Sequence, residues 1–515
     1  MANFFVGCDV GTSGTKSCVM DEQGNILGTH YIEYKLYTPY PSWAEHNPED
    51  YWNATADTIQ ASIKKANINA DEIRGICISA LSPGCILVDR DLNPLQYSHI
   101  WMDRRGVKQS KWLKEHIGDD RVFNISANPI DPYYGTVKLM WERDNRPELY
   151  KKAYKMQTAA DYPVMKLTGK AVTDYSNAAL IGIAFDIRKK KWDTDLIEEI
   201  GLNPEIFPDP YPCDEIIGEV TKEAAARTGL KVGTPVLAGG VDCNMAYLAG
   251  GAIEDGDWAL TMGTAGCMGV IHNEAKFPRN LIIIPHTPDS RNSFASVGAT
   301  IAFGSCTRYF RDTFAQYEKV FAENIGVNVY DIMNIEAASV PVGSDGLIVL
   351  PYFSGERTPI WSPNARAVIF GMSLKHTRAH LLRALMEGAA LALYDNYLFM
   401  KEAGIKMKQP LVVSEGGAKS VLWRQIIADV FGVPVAYQET AKGAPEGDAI
   451  TVGVATGVYK DYSVVKEWVN FSAVTEPNMN NHKIYMELFN VYKKVYEGVK
   501  DQYEVMADII NNNLK

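Results

Sequence analysis

The chain has 515 residues with 62 acidic and 51 basic side chains, and its net charge of −11 argues against the basic face that a nucleic-acid partner requires. Its hydrophobic fraction of 46% and charged fraction of 22% are those of a soluble globular protein with ample core, and no apolar run approaches the ~20 residues of a membrane span. Eight cysteines form no CxxC pair and the first residues show no signal-peptide pattern, so a zinc site is not expected and a reducing, cytoplasmic location is.

The apolar run at 4–10 predicts a buried strand. A turn rich in glycine, threonine and serine follows, then strands at 17–20 and from Ile26, so the chain opens as a β-meander. Residues 48–65 predict a helix, with Pro48 at its start and Tyr51, Trp52, Thr55, Ile59 and Ile63 at helical spacing. Strands are expected at 73–79 and 85–88. A second strand-rich stretch begins at 235–240 and 258–262. The last third alternates strands (346–350, 410–414) with long helices (376–403, 420–431). Leu488, Val491, Val495, Val499 and Tyr503 then mark a packing helix. Such alternation gives an α/β fold class.

Three loops carry candidate chemistry. The first is Asp9-Val10-Gly11-Thr12-Ser13-Gly14-Thr15-Lys16. Its glycines admit a close ligand, its hydroxyls and amides suit an anion, Lys16 adds a charge, and Asp9 suits magnesium. It is neither a Walker loop nor a dinucleotide fingerprint. A bare hairpin is the alternative. The loop is echoed by Met262-Gly263-Thr264-Ala265-Gly266, either as a duplicated domain or as a chance match between two glycine-rich turns. The second loop, Ala238 to Asn244, places Asp242 after a glycine-terminated strand. There it is either a base for an alcohol or a helix N-cap. The third, Ser414-Glu415-Gly416-Gly417-Ala418-Lys419-Ser420, is either a nucleoside site or a plain strand-to-helix turn.

The order of these loops resembles that of the FGGY carbohydrate kinase family, in its xylulokinase-like branch. The segments at 352–359 (YFSGERTP), 367–387 and 414–429 are similar to family motifs, as are WAEHNP at 43–48 and IWMDRR at 100–105. The segment around Lys138 and Trp141 matches only in part. The resemblance implies two actin-like, ribonuclease H-like domains, 1–250 and 251–515, with an interdomain cleft. It implies ATP and Mg2+, with Asp9 near the metal and Asp242 as general base. Gly11, Thr12, Ser13, Thr15, Lys16, Gly263, Thr264, Gly416, Gly417 and Lys419 would bind ATP. Ser82, Trp101, Asp103 and Asp242 would meet a small sugar, with a pentulose such as xylulose expected. It further implies a cytoplasmic homodimer with no nucleic-acid or membrane partner.

Departures from the pattern are Ala265, where many relatives have serine, Ser82-Pro83 in the substrate loop, and Cys243 after the base. Kinases for ribulose, glycerol or gluconate, a degenerate kinase, and an actin-like nucleotide switch are the alternatives. No basic DNA-binding segment precedes the first strand, which argues against a repressor.

Overall fold

A computed structural model describes residues 2–439 and 443–513. The chain forms two compact units. The first holds Met1–Asp255, Ile271–Ser296 and Ala441–Val469, and the second holds Gly256–Val270, Val297–Thr440 and Asn470–Lys515.

The first unit opens with the expected meander. β1 (Phe4–Val10) pairs antiparallel with β2 (Gly14–Asp21), and β2 with β3 (Ile26–Glu33). Strand alternation sends Val6, Cys8 and Val10 to one face and Phe5, Gly7 and Asp9 to the other. The first face packs against α1 (Pro48–Ala66), which buries Tyr51, Thr55 and Ile59. Asn47 caps this helix by accepting from Glu49 N, and Pro48 sits where its missing N–H costs nothing.

β4 (Ile73–Ala80) lies parallel to β1. Beyond α2 (Gly135–Asn145), β5 (Ile216–Glu219) and β6 (Pro235–Leu237) extend the sheet, giving the order β5-β6-β4-β1-β2-β3. The strand expected at 235–240 is broken. Gly239, at φ +93, turns the chain so closely under β4 that a Cβ there would sit 2.1 Å from Ile78 O. β7 (Gly240–Val241) then pairs with β4 and runs straight into α3 (Asp242–Ala249).

In the second unit β8 (Trp258–Met262) pairs antiparallel with β9 (Gly266–His272). After α4 (Gly304–Phe314) and α5 (Arg378–Glu402), β10 (Leu411–Ser414) lies parallel to β8. α6 (Val421–Phe431) and β11 (Val435–Tyr437) follow, β11 parallel to β10. The echo read in the sequence is structural. Val10 and Met262 each end a strand, and Gly14 and Gly266 each begin its antiparallel partner. The chain then rejoins the first unit with α7 (Ala444–Ala455), and α8 (Met479–Asn513) closes the described structure.

His46 shows how tightly the first unit is packed. Its ring is buried between Tyr34 and Tyr51, and Nδ1 is 2.8 Å from Tyr51 OH. Burial pushes its pKa down from 6.5 to about 4. Below pH 6.5 the unfolded chain therefore takes up a proton that the folded state refuses. Stability is fully present above pH 6.5 and falls as pH drops toward 4, by up to ~1.4 kcal/mol per pH unit for this one group. Melting curves between pH 7 and 4 should show a shallower acid slope for His46→Gln than for the wild type. Equal slopes would assign the acid sensitivity elsewhere.

Candidate functional site

The carboxyl ends of three parallel strands meet in the first unit. Asp9 on β1 is in register with Ser79 on β4, and Ser79 with Gly240 on β7. On the far side of β1, Lys16 on β2 is the partner of Asp9. Register partners point to one face of a sheet, and neighbouring strands lie ~4.8 Å apart. The lysine and the carboxylate expected at the phosphates therefore share one row. Two residues past Gly240 comes Asp242.

The turn between β1 and β2 is closed by Gly11 N donating to Gly14 O at 3.0 Å. Thr12 accepts from Trp101 Nε1 at 2.9 Å, which ties a residue expected at the sugar to one expected at the phosphates. Ser13 is exposed. Thr15 does not join them: it is 0% exposed, because one step along β2 from Lys16 turns its side chain to the α1 face.

Asp242 is the first residue of α3 rather than its N-cap, a position held by Val241. It is half-buried, and Oδ1 accepts from Cys243 N at 2.6 Å. The backbone ahead of it is fixed by Val241 N donating to Ser176 Oγ at 3.0 Å, and Ser176 Oγ in turn donates to Asp174 at 2.5 Å. The asparagine two residues on, Asn244, is buried and donates to Pro285 O at 2.9 Å.

Ser82 follows β4 at a cis bond to Pro83, is buried, and its carbonyl accepts from Tyr133 OH at 3.0 Å. Asp103, expected beside the sugar, is 0% exposed. Its carboxylate accepts from Arg105 Nε at 2.9 Å, Arg105 Nη2 at 2.6 Å and Ala44 N at 2.8 Å. In this arrangement it holds a guanidinium, which stacks 3.5 Å over the Trp43 ring, rather than a ligand. The arginine fork holds its carboxyl below the usual range against the opposing effect of burial. Beneath lies Lys138, whose ammonium donates to Asp103 O, Pro132 O and Tyr133 O. Burial pushes the Lys138 pKa down to about 7.

The second unit holds a cavity of about 420 Å³. Gly263, Thr264, Gly416, Gly417 and Lys419 line it, as expected for a nucleotide. Gly263 O accepts from Gly304 N at 2.9 Å and Thr264 O from Phe303 N at 3.1 Å, which anchors the start of α4 to the loop. The sequence reading missed the apolar wall of Met333, Leu382, Met386 and Trp423, and also Asn334. Trp423 stacks on Phe303, ring centroids 4.4 Å apart and planes at 3°. Ser420 caps α6 by accepting from Trp423 N and donates to Asn334 Oδ1 at 2.8 Å. A flat apolar slot with a few polar groups at its edge suits a purine nucleoside. The signal for Leu382, Met386 and Trp423 lay inside the 367–387 and 414–429 motifs. Met333 and Asn334 come from a distant helix, Val329–Ala338.

The 352–359 motif acts from behind. Buried Glu356 accepts from Thr300 Oγ1 at 2.5 Å and from Ile301 N at 2.9 Å, just before α4. Burial pushes its pKa up to about 7. Among the described residues, no group of three or more His, Cys, Asp or Glu side chains is arranged to hold a metal ion. Asp9, at the end of β1, is half-buried, and a carboxylate is the kind of hard oxygen donor that a nucleotide-bound magnesium ion takes from protein.

Comparison with known proteins agrees with this geometry. Residues 4–249 match the N-terminal domain of the FGGY family of carbohydrate kinases, and residues 258–456 match its C-terminal domain. A xylulose kinase of Bacillus subtilis (strain 168) is 30% identical over 501 residues, covering 97% of each chain. A gluconokinase of the same organism is 29% identical over 517 residues, covering 99% of this chain and 98% of that one. The crystal structure of xylulose kinase from Rhodospirillum rubrum superposes with a TM-score of 0.86 at 28% identity, covering 98% and 100% of the two chains. The duplicated hairpins are thus those of the two-domain actin-like fold. With both halves matched and two separate ligand-ready loops in place, the chain belongs to the FGGY family of carbohydrate kinases and is a phosphotransferase that moves phosphate from ATP to a sugar hydroxyl.

Proposed function

We propose that the acceptor is an uncharged ketose, a pentulose such as xylulose. The observation that carries this reading is the state of the cations beside Trp101 and Asp103. Arg104 is paired with Asp131, Arg105 with Asp103 and Glu45, and Lys138 with three carbonyls. An aldonate brings a carboxylate that must find an uncommitted cation when it leaves water. The names of the relatives include both sugars and acids, and the neutralised shell favours the sugar.

In this reading Asp242 orients the acceptor hydroxyl and takes its proton, and Lys16 with the turn at Gly11, Thr12 and Ser13 holds phosphate oxygens. Trp101 positions the sugar directly, while Ser82 and Asp103 shape its shell. Gly263, Thr264, Gly416, Gly417 and Lys419 hold the nucleotide. Magnesium, held by Asp9 and the phosphates, would supply charge neutralisation on the β- and γ-oxygens. Residues 1–250 carry the sugar shell and the first phosphate loop, and residues 251–515 the second phosphate loop and the nucleoside cavity, although 271–296 and 441–469 pack with the first unit.

The eight cysteines are free thiols, which fits a cytoplasmic enzyme. No helix among the described residues is long and apolar enough to cross a membrane. Exposed Tyr317, Val320, Phe321 and Ile335 suit a homodimer interface, which sedimentation at several concentrations tests.

Coupled ADP-release assays with xylulose, ribulose, glycerol and gluconate test the acceptor. We expect kcat/KM for xylulose to exceed that for gluconate by at least ~10-fold, the lower part of the range that a polar group left unpaired on leaving water commonly costs. Gluconate as the better acceptor would overturn the reading. No sugar raising ATP turnover above basal would favour the nucleotide switch.

A further inference from the structure

α7 covers the face of the first sheet that carries Phe5, Gly7 and Asp9. Its first turn is seated on β1 and β2, where Cys18 Sγ donates to Pro445 O at 3.2 Å. One turn further, Asp448 reaches β4. Its carboxyl accepts from Ser79 Oγ at 2.7 Å and from Cys77 Sγ at 3.6 Å. Asp448 is 0% exposed, and the phosphoryl-transfer chemistry above makes no use of it.

A buried carboxyl lowers stability unless its bonds are made. Burial pushes the Asp448 pKa well above the ordinary carboxylate range, with the Ser79 bond opposing. This group stands over one particular spot. Ser79 is the middle member of the row whose flanks are Asp9 and Gly240, and Asp242 follows Gly240 by two residues. The end of β4 is therefore the spacer between the metal-side carboxylate and the base.

We propose that Asp448 is a positioning residue for phosphoryl transfer, acting through its hydrogen bond to Ser79 to fix the end of β4 and, with it, the placement of Asp9 relative to Asp242. The proposal rests on the roles given to those two residues above. Displacements near 1 Å in such sites change rates by up to ~100-fold, so the bond has a kinetic signature.

The test uses the full chain with ATP and xylulose, or the best acceptor of the panel. It measures kcat, both KM values and melting temperature for Ser79→Ala, Asp448→Ala, Asp448→Asn and the double alanine variant. We expect Ser79→Ala and Asp448→Ala to lower kcat by roughly 10-fold or more, with each KM within about threefold. The double variant should be no worse than the poorer single one, because both remove one bond. Asp448→Asn keeps an acceptor for Ser79 and should return kcat to within about threefold of wild type.

Wild-type kcat in folded Ser79→Ala would overturn the proposal, whatever the change in melting temperature. So would an Asp448→Asn variant as slow as Asp448→Ala, since charge rather than the bond would then matter. If Asp448→Ala does not fold, Ser79→Ala and Asp448→Asn decide the matter by the same criteria. Asp242→Asn in the same series separates this idea from its foundation. Unchanged turnover there sinks the site assignment itself, whereas unchanged turnover in Ser79→Ala sinks only the role of Asp448.

Discussion

Replacing Asp242 by asparagine should lower kcat by about 100- to 10,000-fold, the usual range for removing a general base. The melting temperature should barely move. Asp242 lies half-buried at the first position of α3, and its Oδ1 accepts from Cys243 N at 2.6 Å. An asparagine oxygen accepts the same bond, so the helix start survives while the basic oxygen is lost. The backbone ahead of it stays fixed by Ser176. Binding of ATP in the second unit should be unaffected, so KM for ATP is the internal control. Wild-type turnover in the variant would show that another group takes the proton.

Gly7→Ala should be the most damaging single methyl group in the first unit. A Cβ at position 7 would meet Pro445 O at 1.9 Å and Ala449 N at 2.9 Å. Both are backbone atoms of α7, so no side-chain rotation relieves the clash. Either the helix moves off the sheet or β1 bends away. Overpacking costs about 1–3 kcal/mol where side chains give way, and a clash with helix backbone belongs at or above the top of that range. Displacing α7 also withdraws Asp448 from Ser79. Denaturant melts should show the loss of stability, and activity should fall in the protein that still folds. A variant as stable as wild type would mean that α7 is more loosely seated than its close approach indicates.

These two residues also show what the sequence carried and what it did not. The run at 4–10, the turn glycines and the strand after them were readable because neighbours in the chain make that hairpin. The same holds for the helix from Pro48 and for the hairpin of β8 and β9, which echoes that of β1 and β2. The placement of Thr15 was readable as well. Strand alternation sets it opposite Lys16, yet its hydroxyl made it look like part of the phosphate loop. Asp103 was different. Its fate is decided by Arg105 and by the amide of Ala44, and Ala44 is remote in sequence. Asp448 was invisible for the same reason, since its partner Ser79 lies 369 positions away. Local spacing reports loops and strands. It does not report which distant element closes over them.

The return of α7 to the first unit has a consequence for how the protein is made. A ribosome that has finished residue 255 has delivered the whole first sheet, but not the helix that covers the face bearing Gly7, Cys18 and Cys77. That face stays uncovered until nearly two hundred further residues have emerged. Expression of the first half alone should therefore yield a sticky, incomplete particle. A useful split version of this enzyme would have to supply the 444–455 segment alongside it.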